Sequence, residues 1–203
     1  MGFEKCRGTV CGNTRVGNDA LVVPLTPLCP YYERKVFFLE QKRVDKINYY
    51  LDIAEAVASR STCLRKKYGT VIVNNDEIIS TGYSGAPRGR INCIDLGYCT
   101  KKKMFPEIRH AGYDACRSVH SEQNAIISAS RKDMIGGTLY LVGYRTDNSD
   151  YEDGAAPCLM CRKMIINSGI KNVIVRVNKN EYKEIDVNEW IQNDEILNGE
   201  ITY

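Results

Sequence analysis

The chain has 203 residues, of which 43% are hydrophobic and 26% are charged, and its formal net charge is +3. That length can bury one good core but leaves little chain for a second full domain. Because the charges are spread along the sequence and no apolar run is long enough to span a membrane, we expect a soluble, cytoplasmic protein that binds neither nucleic acid nor membrane.

Residues 1–42 have no regular hydrophobic period, and three prolines interrupt their one apolar stretch. We therefore predict an N-terminal extension of unknown role here, one domain at 43–180 and a C-terminal tail at 181–203. The nine cysteines of the chain are an odd number, and in a reducing compartment they should be free or metal-bound rather than joined in disulfides.

From residue 44 onward the hydrophobic pattern alternates between helical and extended periods. The predicted elements, in chain order, are a helix from 44 to an end near 59–63, strands at 70–73 and 78–82 around a turn at 74–77, a helix at 120–130, a strand at 138–142, a helix at 158–167 and a strand at 173–175. This order predicts an α/β fold in which helices cover a mixed sheet on both faces.

Two short motifs at the starts of predicted helices carry the chemistry, His120-Ser121-Glu122 and Pro157-Cys158-Leu159-Met160-Cys161. Two cysteines three positions apart lie on one face of a helical turn, where both thiolates reach one tetrahedral ion. His120 supplies a neutral imidazole from a second segment. Three protein ligands leave the fourth position for water, which is the pattern of a catalytic zinc site rather than a structural one.

Glu122 is a carboxylate next to these ligands that is not itself a ligand. Two thiolates cancel the charge of Zn²⁺ and weaken its power to acidify water, so a nearby base is needed. Glu122 is placed to move protons from water to a ring nitrogen and to departing ammonia. The set therefore indicates hydrolytic deamination, and it matches the pattern of zinc-dependent base deaminases.

Less reactive arrangements of the same residues remain open. Cys158 and Cys161 alone are also typical of a structural zinc knuckle or a redox pair. Cys116 precedes His120 by one helical turn and would close the site with a fourth protein ligand, in which case Glu122 would have no role. A non-enzymatic zinc module is accordingly the alternative from a different functional class.

The chain resembles deoxycytidylate (dCMP) deaminases in four segments, which are Thr81 to Gly89, Asn92-Cys93, Val119 to Ile126 and Pro157 to Cys161. The resemblance runs from about residue 44 to 177. It implies a cytidine deaminase-like fold, a three-layer α/β/α sandwich with a five-stranded mixed sheet, and conversion of dCMP to dUMP, which feeds thymidylate synthesis. Deaminases of this fold that act on free cytosine nucleosides or on tRNA adenosine are the nearest alternatives.

The resemblance also implies roles for individual residues. It makes His120, Cys158 and Cys161 the zinc ligands and Glu122 the proton shuttle. Substrate contacts are expected from Ser84, which stands where relatives have Asn, from Gly85, and from the backbone N–H of Ser121, which stands where relatives usually have Ala.

Arg131 is our candidate for binding the 5′-phosphate of a nucleotide. It follows His120 by about three helical turns on the same predicted helix, and a cation there would select a monophosphate. An ordinary solvated arginine at a helix end is the alternative.

Further partners are implied in the same way. Arg88, Arg90 and Asn92 match an effector site for dCTP and dTTP with Mg²⁺, and relatives form homo-oligomers, with a hexamer favoured here. Cys63 and Cys93 match ligands of a second, structural zinc, which Cys99 and Cys116 would complete, with His110 as a substitute; buried free cysteines are the alternative. The acidic stretch 144–156 is longer than in relatives and is read as a solvated loop or a lid.

Overall fold

The computed structural model describes residues 14–15, 21–22, 43–106, 115–152, 155–194 and 197. The chain divides into two compact units, Met1–Val44 and Asp45–Tyr203. In the first unit, β1 (Thr14–Arg15) pairs antiparallel with β2 (Leu21–Val22). The second unit contains the sheet and all of the described candidate site residues.

A five-stranded mixed sheet of order β4-β3-β5-β6-β7 forms the centre of the second unit. Its strands are β3 (Lys66–Asn74), β4 (Glu77–Tyr83), β5 (Thr138–Arg145), β6 (Asn172–Arg176) and β7 (Tyr182–Asp186). β5 and β6 run parallel, whereas the other neighbours are antiparallel. Parallel neighbours need a crossover, and the helix α6 (Leu159–Ser168) provides it.

Helices cover both faces of this sheet. α1 (Lys46–Ala58) packs on one face, and α4 (Ser121–Ile127) and α6 pack on the other. The shorter helices are α2 (Cys93–Leu96), α3 (Thr100–Met104), α5 (Arg131–Met134) and α7 (Val187–Gln192). Among the described residues, none of these helices has the length and apolar character needed to cross a membrane.

The core follows the two-residue period of the strands. Val71, Tyr140 and Ile174 bury their side chains against α1. Their neighbours Ile72 and Leu139, together with others on the same face, pack under α4 and α6. Each fully buried aliphatic side chain contributes about 1.5–3 kcal/mol relative to exposure, so both faces of the sheet are stabilised. The predicted three-layer α/β/α sandwich with a five-stranded mixed sheet is confirmed.

The elements predicted from periodicity are all present, although several differ in extent, as β3 and β5 do, which are longer than predicted. The helix predicted at 120–130 ends at Ile127, because the Ser128 hydroxyl bonds back to the Asn124 carbonyl at 2.8 Å and α5 then begins separately. The sheet also continues past residue 180, since β7 is its edge strand. Only Ile185 of β7 is buried, so its sequence carries little strand signal. The domain boundaries at 43 and 180 stay a prediction.

A buried arginine ties α1 to the sheet. Arg176 on β6 is 1% exposed, and its guanidinium contacts Asp52 at 2.7 Å and Glu55 at 2.8 Å, both on α1. Glu55 also accepts a bond from the Tyr151 hydroxyl at 2.9 Å. Because a buried charge without partners is very costly, these carboxylates hold α1 in register across β6.

The acidic stretch from residue 144 is anchored at several points as far as residue 152. Tyr144 pairs with Tyr151 in a β-bridge, and Lys66 contacts Glu152 at 2.6 Å. Arg145 pairs with Asp147 at 2.7 Å on the surface. These bonds favour the interpretation that the acidic stretch is a loop fastened to the sheet, rather than a lid.

Gly82 on β4 allows α4 to approach the sheet closely. A Cβ atom at Gly82 would lie 2.2 Å from the Ser121 carbonyl oxygen and 2.4 Å from the Ala125 nitrogen. Both are backbone atoms of α4 and cannot move aside without displacing the helix. Any side chain at Gly82 would therefore push away the first turn of α4, where the His120 and Glu122 motif lies.

We expect Gly82→Ala to lower the free energy of unfolding by about 3 kcal/mol or more, because overpacking against backbone cannot relax locally. Gly89→Ala is the matched control, since Gly89 has a φ of +83° but nothing within 4 Å of an added Cβ. The control should lose only about 1 kcal/mol from backbone strain. Urea unfolding measures both variants, and equal losses would contradict this account of Gly82.

Candidate active site

The three predicted zinc ligands lie at the starts of two helices that pack together. His120 immediately precedes α4, Cys158 immediately precedes α6, and Cys161 is in the first turn of α6. α4 and α6 contact each other on the same face of the sheet. Residues far apart in the sequence are thereby brought to one point.

The ligand atoms have the spacing that a zinc ion needs. The Nδ1 atom of His120 lies 3.5 Å from the Cys158 sulfur and 3.4 Å from the Cys161 sulfur, and all three ligand atoms lie within 4.8 Å of one another. Nitrogen and sulfur bound tetrahedrally to Zn²⁺ at ~2.0 Å and ~2.3 Å would be about 3.5 Å apart. The donor set and its spacing therefore fit zinc.

This group is the only such metal-ligand cluster among the described residues, and neither Glu122 nor Cys116 belongs to it. The arrangement in which Cys116 closes the site is therefore not favoured. Two cysteines and one histidine leave a tetrahedral position for another ligand.

Local hydrogen bonds hold each ligand segment. The backbone N–H of His120 donates to the Gln123 side chain at 3.2 Å. Val119 and Gly85 exchange backbone bonds of 2.8 and 3.2 Å, which fix the chain just before His120. On the other side, the Arg162 guanidinium donates to the Pro157 carbonyl at 3.0 Å. Both ligand segments are thus bonded to their surroundings by groups that are not ligands.

The thiols of Cys158 and Cys161 are hydrogen-bonded to each other, and this arrangement favours the binding of a metal cation. The bond from the Cys161 thiol, followed by the one from His120, lowers the pKa of Cys158. The same cysteine pair and burial raise the pKa of Cys161. A metal ion stabilises both thiolates at once and displaces the shared proton. The N-terminus of α6 adds a favourable dipole at Cys158.

Glu122 is the second residue of α4 and is only 4% exposed. Burial raises its pKa, although a bond from the Ser121 hydroxyl to Oε2 at 2.9 Å partly opposes the shift. A carboxyl group with a raised pKa both accepts and returns a proton more readily near neutral pH. Its placement fits proton transfer at the metal site.

The predicted substrate residues have mixed positions. Ser84 is buried, and its hydroxyl is bonded to Ser61 Oγ at 2.7 Å and to the Tyr68 N–H at 3.1 Å. That hydroxyl serves the structure, so the structure does not support a substrate contact by it. Gly85 acts on the site through its backbone pairing with Val119. Ser121 is buried beside Glu122.

Arg131 is not brought to the site. It begins α5 instead of continuing α4, so the prediction that it lies on the same helix as His120 is wrong. Its Nε donates to the Asn167 carbonyl at 2.9 Å, near the end of α6. The metal ligands lie at the other end of α6, about 12 Å away at 1.5 Å per residue.

The predicted effector residues lie in the loop after β4. Arg88 and Arg90 are exposed, and the Arg90 N–H closes a tight turn on the Pro87 carbonyl at 3.0 Å. The Asn92 amide donates to the Asp95 carboxylate at 3.1 Å at the start of α2. Their effector role stays a prediction.

The other three cysteines of the predicted second metal site, Cys63, Cys99 and Cys116, lie close enough to Cys93 to act on its thiol. Burial raises the pKa of the Cys93 thiol, and the charges of Cys63, Cys116 and Cys99 raise it further. Their sulfur atoms do not form a mutually close ligand group among the described residues. His110 lies outside the described residues. The second site therefore stays a prediction.

Comparison with known proteins gives a family match over residues 44–177, to the family described as the cytidine and deoxycytidylate deaminase zinc-binding region. A deoxycytidylate deaminase of Mycobacterium phage D29 is 35% identical over 136 residues, which are 65% of this chain and 94% of the phage protein. The deoxycytidylate deaminase of Schizosaccharomyces pombe is 32% identical over 133 residues. The matched region covers 66% of this chain but only 37% of the yeast protein.

Among solved structures, the dCMP deaminase of cyanophage S-TIM5 in apo form aligns with a TM-score of 0.45 and 26% identity, over 64% of this chain and 81% of the cyanophage chain.

Metal analysis of the purified protein should give about two zinc ions per chain if the cysteines around Cys93 bind metal, and about one if only the His120 site does. Cys93→Ser should then lose one ion, and Cys161→Ser the other. Atomic absorption measures the content of each protein. A value of one zinc in the unaltered chain, retained in Cys93→Ser, would end the idea of a second site.

Proposed function

The chain belongs to the cytidine and deoxycytidylate deaminase family, and on that premise we propose that it converts dCMP to dUMP by zinc-dependent hydrolytic deamination. The observation that carries the proposal is the cluster of His120, Cys158 and Cys161 beside a buried carboxyl group, Glu122, that is not a ligand. A 35% identical relative that this chain covers almost entirely is a deoxycytidylate deaminase.

His120, Cys158 and Cys161 would hold the zinc ion. When bound, zinc supplies Lewis-acid activation of water. The two cysteine thiolates reduce the net charge of the site, which increases the share of proton transfer that falls to a neighbouring base. Glu122 is the buried titratable group in position for that task.

Glu122 acts first as a base and then as an acid. Its carboxylate takes a proton from the attacking water as the C4–O bond forms, and delivers a proton to the ring nitrogen. Glu122 next takes the proton of the hydroxyl group now on C4 and passes it to the amino nitrogen, so that the C4–N bond breaks, the C4 carbonyl forms and ammonia leaves. Water and dCMP are consumed, and dUMP and ammonia are the products. Burial keeps Glu122 away from bulk solvent, so the proton stays at the site.

The start of α4 supplies a hydrogen-bond donor for the pyrimidine ring of the substrate. Helix geometry leaves the first backbone N–H groups without an intrahelical acceptor, and the Ser121 N–H is one of them. We assign it to the pyrimidine carbonyl. This contact uses the backbone, so it does not depend on which side chain occupies position 121.

Regulation and assembly are finer parts of the proposal. Arg88, Arg90 and Asn92 are assigned to dCTP and dTTP with Mg²⁺, because exposed arginines in a turn suit the phosphates of a triphosphate. A homo-oligomer, with six copies favoured, and a cytoplasmic location complete the assignment, which rests on similarity to nucleotide-metabolising relatives.

Glu122→Gln should keep its zinc but lose turnover by on the order of a hundredfold or more, because the metal ligands remain and the proton shuttle is gone. Asp133→Asn, an exposed carboxylate on α5, is the control and should match the unaltered protein. Zinc content and ammonia release from dCMP, deoxycytidine, dCTP and adenosine are measured for all three proteins.

Two outcomes count against the assignments. Loss of zinc together with activity in Glu122→Gln would show that Glu122 is a metal ligand or holds the fold. Ammonia release by the unaltered protein from deoxycytidine or adenosine, and none from dCMP, would overturn the proposed substrate.

A further inference from the structure

A buried chain of hydroxyl groups ends on the Glu122 carboxylate. The Thr70 hydroxyl lies 2.8 Å from Ser121 Oγ, which lies 2.9 Å from Glu122 Oε2. Thr70 and Ser121 are both 0% exposed, and Glu122 is 4% exposed. Thr70 is distant in sequence from the motif, and it is a polar side chain in an otherwise apolar strand core.

The chemistry of the three groups fixes the direction of these bonds. In the ionised form that acts as the base, the Glu122 carboxylate can only accept hydrogen bonds, so the one proton of the Ser121 hydroxyl points to Glu122. Ser121 Oγ then has only acceptor capacity left for Thr70, which must donate to it. Both hydroxyl groups are therefore directed at the carboxylate.

The first member of the chain is held rigidly. Thr70 lies in the centre of β3, paired with Gly82 of β4 on one side and with Leu141 of β5 on the other. Gly82 is also the residue that lets the first turn of α4 approach the sheet. The close approach of the helix and the contact between Thr70 and Ser121 thus depend on the same position.

We propose that Thr70 and Ser121 are positioning residues that orient the Glu122 carboxylate for proton transfer. The terminal torsion of a glutamate side chain is broad and is not fixed by rotamer preference. A directed bond to Oε2 from a hydroxyl that is itself held by the sheet fixes that torsion. Holding the carboxylate in the reactive orientation before the reaction begins is how groups that do not touch the substrate affect the rate. The catalytic consequence rests on the proposed deamination.

Ser121→Ala removes the bond to Glu122 but keeps the backbone N–H that we assign to the substrate. We expect kcat for dCMP to fall about tenfold, the rate equivalent of one lost charge-assisted bond, with KM and zinc content unchanged. Thr70→Val should lower kcat by about threefold, since Ser121 then loses its anchor, and Thr70→Ser should restore it.

Ser80→Ala is the matched control. Ser80 also has a buried hydroxyl that bonds to α4, at 2.8 Å from the Ala125 carbonyl, but it has no bond to Glu122. The Ser80→Ala variant should lose about as much free energy of unfolding as Ser121→Ala and keep the kcat of the unaltered protein. If Ser121→Ala keeps the kcat of the control, the positioning role is overturned, whereas an unaltered protein that is inactive on dCMP overturns the proposed function instead.

A measurement that needs no substrate tests the hydroxyl chain itself. Urea unfolding of zinc-loaded Thr70→Val, Ser121→Ala and the double variant gives their coupling. Each single change leaves one buried hydroxyl with a lost partner, but the double change removes both, so the double variant should be markedly more stable than the sum of the single losses predicts. Additive losses in the free energy of unfolding would overturn the proposed chain of hydroxyl groups, whatever the substrate proves to be.

Discussion

The site depends on the close contact between α4 and the sheet at Gly82. α4, which packs against Gly82, also contacts α6, and all three predicted zinc-ligand positions lie in or next to the first turns of these two helices. A side chain at Gly82 would collide with the backbone of the first turn of α4 and displace the segment that carries His120 and Glu122. A position with no chemistry of its own therefore affects where one of the predicted metal-ligand segments lies.

The two faces of the sheet serve different purposes. On one face, Arg176 and the carboxylates of α1 form a buried ionic contact that fixes the position of that helix. On the other face, buried hydroxyl groups of Thr70 and Ser121 lead to the buried carboxyl group of Glu122. Removing charges from water is costly on either face. On the first face, a structural ion pair offsets this cost. On the second face, the same cost raises the pKa of Glu122.

Burial and helix termini together explain how unlike pKa values occur within one small site. Bonds from Cys161 and His120 lower the pKa of Cys158, and the N-terminus of α6 favours its thiolate, so that this sulfur is ready to bind a cation. Glu122 is inside the protein, where burial raises its pKa and favours a proton. A sulfur ligand whose thiolate form is favoured and a base that readily takes a proton are what hydrolytic deamination requires.

The sequence by itself determined most of the elements of the sheet and its covering helices and the residue types of the ligand set, because both are recorded in local periods and short motifs. Helical and extended periods mark α1, β3 and β5, and Cys158 and Cys161 share one helical turn. Only the tertiary structure decided which side chains face the site. It turned the Ser84 hydroxyl inward, put Arg131 at the far end of α6, and joined Thr70 to Ser121. These contacts join residues distant in the sequence, and their geometry is set by how closely helices pack on the sheet, which no local pattern records.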